Sequence, residues 1–461
     1  MRRIAIIGSG IAGLVAAHGL RRAGHEVTLY SDRSPEQWLD ESRPTGTAGR
    51  FPTALEYEAE LGLNYWDDVA PRGEGVFLTF CPTAHNRLIR LYGRGRFQAI
   101  DVRLQSARWM RELEARGGRV VIESIGINRL EQIAAAHELT LVAAGRAELA
   151  RLFERDSRRS VYDAPRRHLT MIAAAGRMSV DDCPFLPVKF DFLGTDGELF
   201  FVPWLHKDRG PVWNILFEAK PGSRMDRFGE AKSGEEALAI AKNVVRELFP
   251  WNAEWLQEME LADPNGWLVG RVTPLVRRPV GTLPSGRIVA ALGDTAISYD
   301  PIAAQGANSC VKQARHLVAS VVARGALPFD AQWITETFDD YYTSQAQYAC
   351  LFSNLFLEEI TMGAKELLIA QYGSDGRLGN TSGRQRIADR FFAAFNEPRL
   401  MTEPFTDVAR ARALIASLTG HSWVRSAVRG RAAIARDQLS QRLRRLAAVS
   451  ARPHGAHAAR A

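Results

Sequence analysis

The 461-residue chain has few cysteines, no long apolar run and no repeated histidine spacing, and each shortage excludes a class of protein. Its four cysteines form no C-x-x-C pair and no zinc-type spacing, which is typical of reduced thiols in a cytoplasmic protein. No segment offers the roughly 20 uninterrupted apolar residues that span a bilayer. The ten histidines lack the H-E-x-x-H pattern, and no G-x-S-x-G elbow occurs, so neither a metal site nor a hydrolase is predicted.

The formal net charge of +7 is concentrated at one end of the chain. Residues 425–461 contain nine Arg and one Asp, so the rest of the chain is close to neutral. A basic tail can bind nucleic acid or a membrane surface. The Ala-rich composition of this tail favours a solvated amphipathic helix that frays at its end. We therefore predict no nucleic-acid or membrane partner.

The length suits more than one core, because single cores stop growing at about 250–300 residues. A β-branched run, an Ala-rich helix and a second strand fill residues 3–30, which is a βαβ pattern. Alternating aromatic segments follow from residue 166, and a buried strand resumes at residues 287–292. The predicted fold is α/β, with a discontinuous Rossmann-like nucleotide-binding domain (1–165 and 283–328), an inserted mixed or antiparallel-sheet substrate domain (166–282), and a C-terminal helical region with a basic tail (329–461).

The first motif is G-x-G-x-x-G between the first strand and the first helix. It consists of Gly8, Gly10 and Gly13, with Ile11 and Ala12 inside it. The glycines permit a tight turn and let a pyrophosphate approach the helix N-terminus. The acid that binds the ribose is expected about 20 residues later, where Ser31 is followed by Asp32. Asp32 is the predicted ribose ligand, with a capping or surface role as the alternative.

A second constellation follows the strand at residues 287–292. Gly293-Asp294 places a carboxylate where it can reach a ribityl hydroxyl, and Pro301 leads into a turn that opens a helix. The N–H groups of that helix can face the electron-rich end of an isoalloxazine ring. The residues predicted to line this end are Gln305, Gly306, Ala307 and Asn308.

Together these segments resemble the class E flavoprotein monooxygenases, the oxygenase components of styrene and indole monooxygenases, within the para-hydroxybenzoate hydroxylase-like fold. The resemblance is carried by residues 3–13, 30–33, 99–104, 112–118 and 292–308. It continues to about Leu400, and residues 401–461 have no clear counterpart.

The resemblance implies an oxygenase that takes reduced FAD from a separate NAD(P)H-dependent flavin reductase and forms a C4a-hydroperoxyflavin with O2. Its substrate would be an apolar aromatic, styrene- or indole-like molecule that is epoxidised or hydroxylated. The sequence leaves the oligomeric state open, with a homodimer as one option. Single-component relatives carry an Asp-Gly pair in mid-chain for the nicotinamide cofactor. This chain has Ala144-Gly145 there, so it should not bind NADH productively.

The resemblance also assigns site residues. Arg33, Arg43, Arg103 and Gly145 would contact FAD. Residues at the reacting centre would be Arg43, Gly46, Thr47, Pro301 and Asn308. The family places Asn at the position of Gly46, and the loss of that amide enlarges the space over the flavin. A substrate bulkier than styrene or indole is therefore predicted.

Two questions stay open from the sequence. Six residues of the alternating segments are candidates for an apolar pocket, and about half of them are expected to face a ligand rather than the core: Phe200, Phe201, Pro203, Trp204, Trp213 and Phe217. The alternative functions are a flavin-dependent oxidase or dehydrogenase and a flavin-binding redox sensor.

Overall fold

The computed structural model describes residues 1–81, 89–144 and 147–450. Its strands are β1 Arg3–Ile7, β2 Glu26–Ser31, β3 Gly49–Arg50, β4 Gly73–Cys81, β5 Ile89–Ala99, β6 Arg119–Ile122, β7 Leu139–Val142, β8 His168–Ala175, β9 Pro187–Leu193, β10 Gly197–His206, β11 Gly210–Ala219, β12 Glu260–Leu261, β13 Trp267–Arg271, β14 Leu275–Val276, β15 Val280–Thr282, β16 Ile288–Ala291 and β17 Ile297–Ser298.

The helices begin with α1 Ile11–Arg22, α2 Pro35–Asp40, α3 Pro52–Glu60, α4 Val102–Ala115, α5 Ile127–Ala136, α6 Ala147–Ala150, α7 Gly234–Leu248 and α8 Ala253–Gln257. After these, the chain is almost wholly helical: α9 Gln305–Arg324, α10 Ala331–Tyr341, α11 Gln347–Leu357, α12 Met362–Ala370, α13 Gly383–Asn396, α14 Arg399–Thr406, α15 Val408–Thr419 and α16 Trp423–Ser450.

The first sheet has the strand order β15-β16-β7-β1-β2-β6. All neighbours in it are parallel except the β15–β16 pair. Buried aliphatic side chains on β1, β2 and β7 pack against α1 and α9. The strand at residues 288–291 returns to the sheet that the N-terminal βαβ unit starts, as the predicted α/β fold requires. That fold class is confirmed.

The second sheet has the order β12-β8-β11-β10-β9-β4-β5-β3, with β13 beside β8. It includes strands from residues 49–99, a region that the sequence-based boundaries assign to the nucleotide-binding domain. These strands join the sheet because β4 pairs in parallel with β9, for example Val76 with Val188. Partners more than 100 residues apart leave no local sequence signal, so the sequence alone did not predict this pairing.

Helix α13 lies directly on β5. A Cβ atom at Gly93 would come within 2.5 Å of the Ala388 carbonyl oxygen, and one at Gly95 within 2.2 Å of the Phe392 ring. These two glycines therefore let the helix approach the strand closely. The contact holds the aromatic face of α13 over the second sheet, where it closes a cavity described below.

The first half of α16 also packs on the body of the protein. A Cβ at Gly430 would lie 1.9 Å from the Ile369 carbonyl oxygen. The backbones of α16 and α12 are therefore in direct contact at this glycine. The Asp437 carboxylate accepts hydrogen bonds from Arg90 at 2.7 Å and from the Tyr372 hydroxyl at 2.5 Å. Residues 425–450 of the basic segment are thus helical, as expected, and contacts at Gly430 and Asp437 anchor this helix to the body of the protein.

Candidate active site

The glycine loop between β1 and α1 has the geometry that a dinucleotide requires. Gly8 has a φ of +118°, and a Cβ there would lie 2.5 Å from the Ala143 carbonyl oxygen at the end of β7. A Cβ at Gly13 would lie 2.0 Å from the Gly8 carbonyl oxygen. At Gly10 a Cβ would meet no atom within 4 Å, because this residue caps α1 and faces a cavity. Two glycines therefore serve packing, and Gly10 leaves an open cradle at a helix N-terminus, which fits a pyrophosphate.

The end of β2 lies beside this loop. Ser31 is its last residue, and the Ser31 and Ser9 hydroxyl oxygens are 2.7 Å apart. Asp32 is exposed just beyond the strand, 3.7 Å from the Arg33 guanidinium, which stacks 4.6 Å from the centre of the Trp38 ring. The predicted ribose ligand is thus a surface carboxylate near the loop, and Ser31 occupies the strand end itself.

The second flavin segment approaches the same loop from β16. Gly293 has a φ of +62°, and a Cβ there would lie 2.6 Å from the Ala12 side chain, so glycine allows this contact. The Asp294 carboxylate opens into the cavity, 3.9 Å from the Cys310 thiol. Solvent reaches Asp294 through the open cavity, but the dense surrounding wall atoms still raise the pKa of its carboxyl, opposed by the Cys310 thiol and Arg277. Its position suits a hydrogen bond to a ribityl hydroxyl.

The N-terminus of α9 forms one wall of the cavity. Ala304 precedes the helix with a left-handed φ of 51°, and Pro301, Gly306 and Ala307 line the cavity. Gln305 is buried and does not line it, because its amide donates to the Ala303 and Phe395 carbonyl oxygens at 2.8 and 3.0 Å. The wall is therefore mainly backbone and small side chains.

Asn308 joins α9 to β3 and to the residue that follows it. Its side-chain oxygen accepts a hydrogen bond from the Phe51 backbone N–H at 2.9 Å. Its amide nitrogen donates to the Gly49 and Ala304 carbonyl oxygens at 2.9 and 2.7 Å. The side chain of Asn308 thus fixes two cavity walls relative to each other and does not face the cavity itself.

The loop at residues 45–49 forms the opposite wall. Gly46 lines the cavity, its φ lies outside the left-handed region, and a Cβ there would meet no atom within 4 Å. The Thr47 hydroxyl donates to the Asn214 side-chain oxygen on β11 at 2.9 Å. Arg43 is exposed and stacks 4.4 Å from the centre of the Trp267 ring, outside the cavity lining. Asn214 is a contact that the sequence did not indicate, because strand alternation predicts only a core position.

Arg103 lies in a buried ion cluster rather than in the cavity wall. Its guanidinium contacts Asp101 at 2.7 Å, Asp263 at 2.6 Å and the Ser42 carbonyl oxygen at 3.3 Å. All of its nitrogens therefore already have protein partners. Gly145, the other residue expected near FAD on this side, lies outside the described residues.

The cavity has a volume of about 470 Å³ and extends from Gly10 to the second sheet. Its far end is aromatic and is lined by Phe51, Phe97, Phe190, Phe200, Phe392 and Phe395. Of the six predicted pocket residues only Phe200 lines the cavity. Phe201, Trp213 and Phe217 point to the other face of the sheet, where they pack in the core that includes α7. Alternation along a strand predicts this split but not which face carries the ligand.

A buried acidic cluster lies at one end of the sheet face that carries this cavity. Glu198 forms two hydrogen bonds with Arg167, at 2.7 and 3.0 Å, and sits across from Glu218 on the next strand. Neither Glu218 side-chain oxygen has a hydrogen-bond donor among the described residues, and the same holds for Oδ2 of Asp300. Burial and the contact with Asp300 raise the pKa of Glu218 well above its usual range. A protonated Glu218 can donate one hydrogen bond to Asp300, which pairs one oxygen of each carboxyl group.

Asp300 links this cluster to the cavity wall, because its other oxygen accepts from the Ile302 N–H at 3.1 Å and caps the turn that starts at Pro301. Within the described residues, no group of three His, Cys, Asp or Glu side chains could hold a metal ion. No helix in those ranges is long and apolar enough to cross a membrane.

Two family models match the chain. The model of the styrene monooxygenase A substrate-binding domain matches residues 145–255, and that of an NAD(P)-binding Rossmann-like domain matches residues 6–35. Two curated relatives, both called styrene monooxygenase StyA, come from Pseudomonas fluorescens and from a Pseudomonas species. Each is 27% identical over 418 residues, which is 89% of this chain and 96% of the relative.

Solved structures agree on the fold. A flavoprotein/dehydrogenase from Cytophaga hutchinsonii superposes with a TM-score of 0.60 at 12% identity, covering 90% of this chain and 99% of its own. The 2-methyl-3-hydroxypyridine-5-carboxylic acid oxygenase superposes with a TM-score of 0.52 at 17% identity, covering 85% of this chain and 96% of its own. The open cradle at Gly10, the cavity-facing Asp294 and the backbone wall of α9 fit FAD, the cofactor that these comparisons support. With similarity over nearly the full length of both relatives, the chain is a styrene monooxygenase-like flavoprotein and an FAD-dependent monooxygenase.

Proposed function

We propose that this chain is the oxygenase component of a two-component monooxygenase, which receives reduced FAD from a separate reductase and oxygenates an apolar aromatic molecule. The observation that carries the proposal is the division of the 470 Å³ cavity into two unlike ends. One end is a backbone and carboxylate cradle beside α1 and α9, and the other is a wall of phenylalanine rings. A cofactor with a pyrophosphate suits the first end, and an arene suits the second.

When bound, FAD would supply the activation of O2, and the residues of this chain would position the reactants and exclude water. The phenylalanine wall gives an arene aromatic partners and leaves water few hydrogen-bonding sites. Few polar side chains line this part of the cavity, so no acid–base pair is assigned to oxygen transfer. The protein would act mainly through orientation and a dry environment.

Asn308 and Thr47 are proposed as positioning residues. Asn308 holds β3 and the residue after it against α9 through Gly49 and Phe51. Thr47 holds the loop before β3 against β11 through Asn214. This segment therefore keeps a fixed distance from both the cofactor end and the aromatic end, and Gly46, next to the Thr47 anchor, leaves space for the substrate.

The proposal of a separate reductase rests on the sequence Ala144-Gly145, where single-component relatives have Asp-Gly. The test is to mix the purified protein, FAD and an arene such as styrene with NADH, with and without a flavin reductase. We expect NADH consumption and oxygenated product only with the reductase, and one atom of 18O from 18O2 in each product molecule. Reduction of bound FAD by NADH alone at the turnover rate would contradict the two-component assignment. Substrate-dependent formation of hydrogen peroxide in the absence of both NADH and the reductase would instead favour the oxidase alternative.

A further inference from the structure

A second, smaller cavity lies beside the main one. It has a volume of about 60 Å³ and is formed by Leu78, Phe80, Leu91, Phe192, Leu355, Phe356, Glu358, Ile360, Thr361, Ala364, Leu367, Leu368, Gln371, Ile387, Phe391, Met401 and Phe405. We call it the side cavity. It lies between the second sheet and helices α11 to α14, and the exposed Glu358 stands at its edge.

The two cavities are neighbours along the same elements. Strand β9 gives Val188 and Phe190 to the main cavity and Phe192 to the side cavity. Residues two apart on a strand share a face and are about 6–7 Å from each other. Strands β4 and β5 and helix α13 are likewise divided between the two cavities. No backbone element needs to separate them, because the same sheet and helix continue from one to the other.

Phenylalanine rings form the partition. Phe356 of α11 lines the side cavity, and its ring centre is 6.4 Å from that of Phe190 and 6.0 Å from that of Phe395, both of which line the main cavity. The rings of Phe391 and Phe395 are 5.7 Å apart across the same boundary. Phe356 is only half-buried. Rotation of a side chain about its χ1 and χ2 bonds requires no movement of the backbone.

The side cavity offers nothing to a polar ligand. The Gln371 amide donates to the Arg90 and Leu368 carbonyl oxygens at 3.0 and 2.9 Å. The Thr361 hydroxyl donates to the Phe405 carbonyl oxygen at 2.5 Å, and Glu358 accepts from the Tyr162 hydroxyl at 2.8 Å. These polar groups already have partners, and the rest of the lining is carbon or sulfur. The occupant is therefore apolar.

We propose that the side cavity is an antechamber that binds the apolar aromatic substrate on its way to the main cavity, with Phe356 as the partition between them. Its volume of about 60 Å³ is smaller than the roughly 150 Å³ of a cavity that holds benzene, so an arene occupies it only together with the space that the half-buried Phe356 ring gives up on turning. The proposal rests on the assignment of the main cavity to an arene. It adds a route that leads in between α11 and α12, away from the cofactor.

The first test locates an arene directly and does not depend on turnover. Crystals of the full chain are soaked in bromobenzene, and anomalous diffraction at the bromine edge locates the ligand. We expect bromine in the side cavity as well as in the main one. Bromine in the main cavity alone would overturn the antechamber and leave the proposed function standing. Absence from both cavities would overturn the two proposals together.

The second test fills the side cavity by Ala364→Phe, with Ala364→Ser as a matched control that keeps it open. With reductase and styrene, we expect Ala364→Phe to lower kcat/KM by about tenfold through slower substrate association, with the same dissociation constant for FAD. Ala364→Ser should stay near wild type, and Phe356→Ala should speed association. If Ala364→Phe folds, binds FAD and retains the wild-type kcat/KM, the side cavity is not on the substrate's path.

Discussion

The two ends of the main cavity differ in which atoms line them, backbone at one end and aromatic side chains at the other. The cofactor end consists of backbone brought close by glycines, at Gly8, Gly13 and Gly293, where an added Cβ would clash with other parts of the chain. The aromatic end consists of six phenylalanine side chains from β5, β9, β10, α13 and the residue before α3, whose rings pack against one another. A substitution at the first end should therefore disturb the fold or FAD binding whatever the substrate. A substitution at the second end should change the substrate and leave FAD binding unaltered.

The largest expected effect comes from Gly13→Ala. The new Cβ would lie 2.0 Å from the Gly8 carbonyl oxygen, so α1 must move away from β1. We expect a loss of at least about 2 kcal/mol in the free energy of unfolding and no measurable FAD binding, checked by urea denaturation and fluorescence titration. The control is Gly10→Ala, where nothing lies within 4 Å. It should keep the stability and lose FAD affinity alone, and equal destabilisation of both variants would contradict the distinction.

Asp294→Ala should weaken FAD binding without unfolding the protein. The carboxylate faces the cavity and would form a charge-assisted hydrogen bond to the ribityl chain. Its loss is expected to cost about 1.5–3 kcal/mol, or roughly 10- to 150-fold in the dissociation constant, measured by isothermal titration. Asp32→Ala is the comparison at the surface carboxylate and should have the smaller effect. An unchanged dissociation constant for Asp294→Ala, with the circular dichroism spectrum retained, would make Gly293-Asp294 a structural turn only.

The stability of the protein should fall with rising pH because of Glu218. Its pKa is raised in the folded state, by burial and by Asp300, so the folded protein holds a proton that the unfolded chain releases above about pH 4.5. Stability is thus lost as pH rises through the raised pKa, by up to about 1.4 kcal/mol per pH unit for one proton. Glu218→Gln keeps a donor for Asp300 without titrating. Arg167 and Glu198 remain beside it in both proteins, and burial raises the pKa of Glu198 to about 7, so its contribution to the pH dependence is common to both.

The measurement is the free energy of unfolding between pH 5 and pH 8 for both proteins. We expect a smaller decline in Glu218→Gln than in the wild type, and infrared spectroscopy should lose a protonated carboxyl band in the variant. The exposed Glu260→Gln serves as the control and should follow the wild type. Parallel pH curves for Glu218→Gln and the wild type would show that no proton is shared between Glu218 and Asp300.

The smallest effect is expected at Gly46. Its φ is not left-handed and a Cβ would meet no atom within 4 Å, so a side chain should be tolerated there without strain. Gly46→Asn should place an amide in the cavity and shift the ratio of kcat/KM toward smaller arenes, by up to about tenfold. Gly46→Ala is the control that adds volume without the amide. If both variants change the ratio equally, the amide is irrelevant and only the space at residue 46 matters.

The cofactor end could be predicted largely from the sequence. A tight turn or a close approach of two parts of the chain requires glycine at a single position, which can be recognised in the sequence, as at Gly8, Gly13 and Gly293. The predicted βαβ unit and the returning strand β16 are present in the structure. Arg103 and Asn308 show the limit of such a prediction. Both were expected at the site by resemblance, but the structure uses their side chains to bind other parts of the chain. A motif records a residue type and not the direction in which its side chain points.

The aromatic end was decided by the tertiary structure. Of six candidate residues only Phe200 lines the cavity, and five of its other phenylalanines lie on β5, β9, α13 and the turn before α3, at positions the sequence did not single out. The pairing of β4 with β9 and the contact of α13 with β5 create this wall. Each joins segments separated by about 100 residues or more, so neither has a local pattern. The sequence determined which segments could hold a dinucleotide, because those contacts are local. Only the folded chain determined the shape of the substrate cavity, because most of its walls meet through long-range packing.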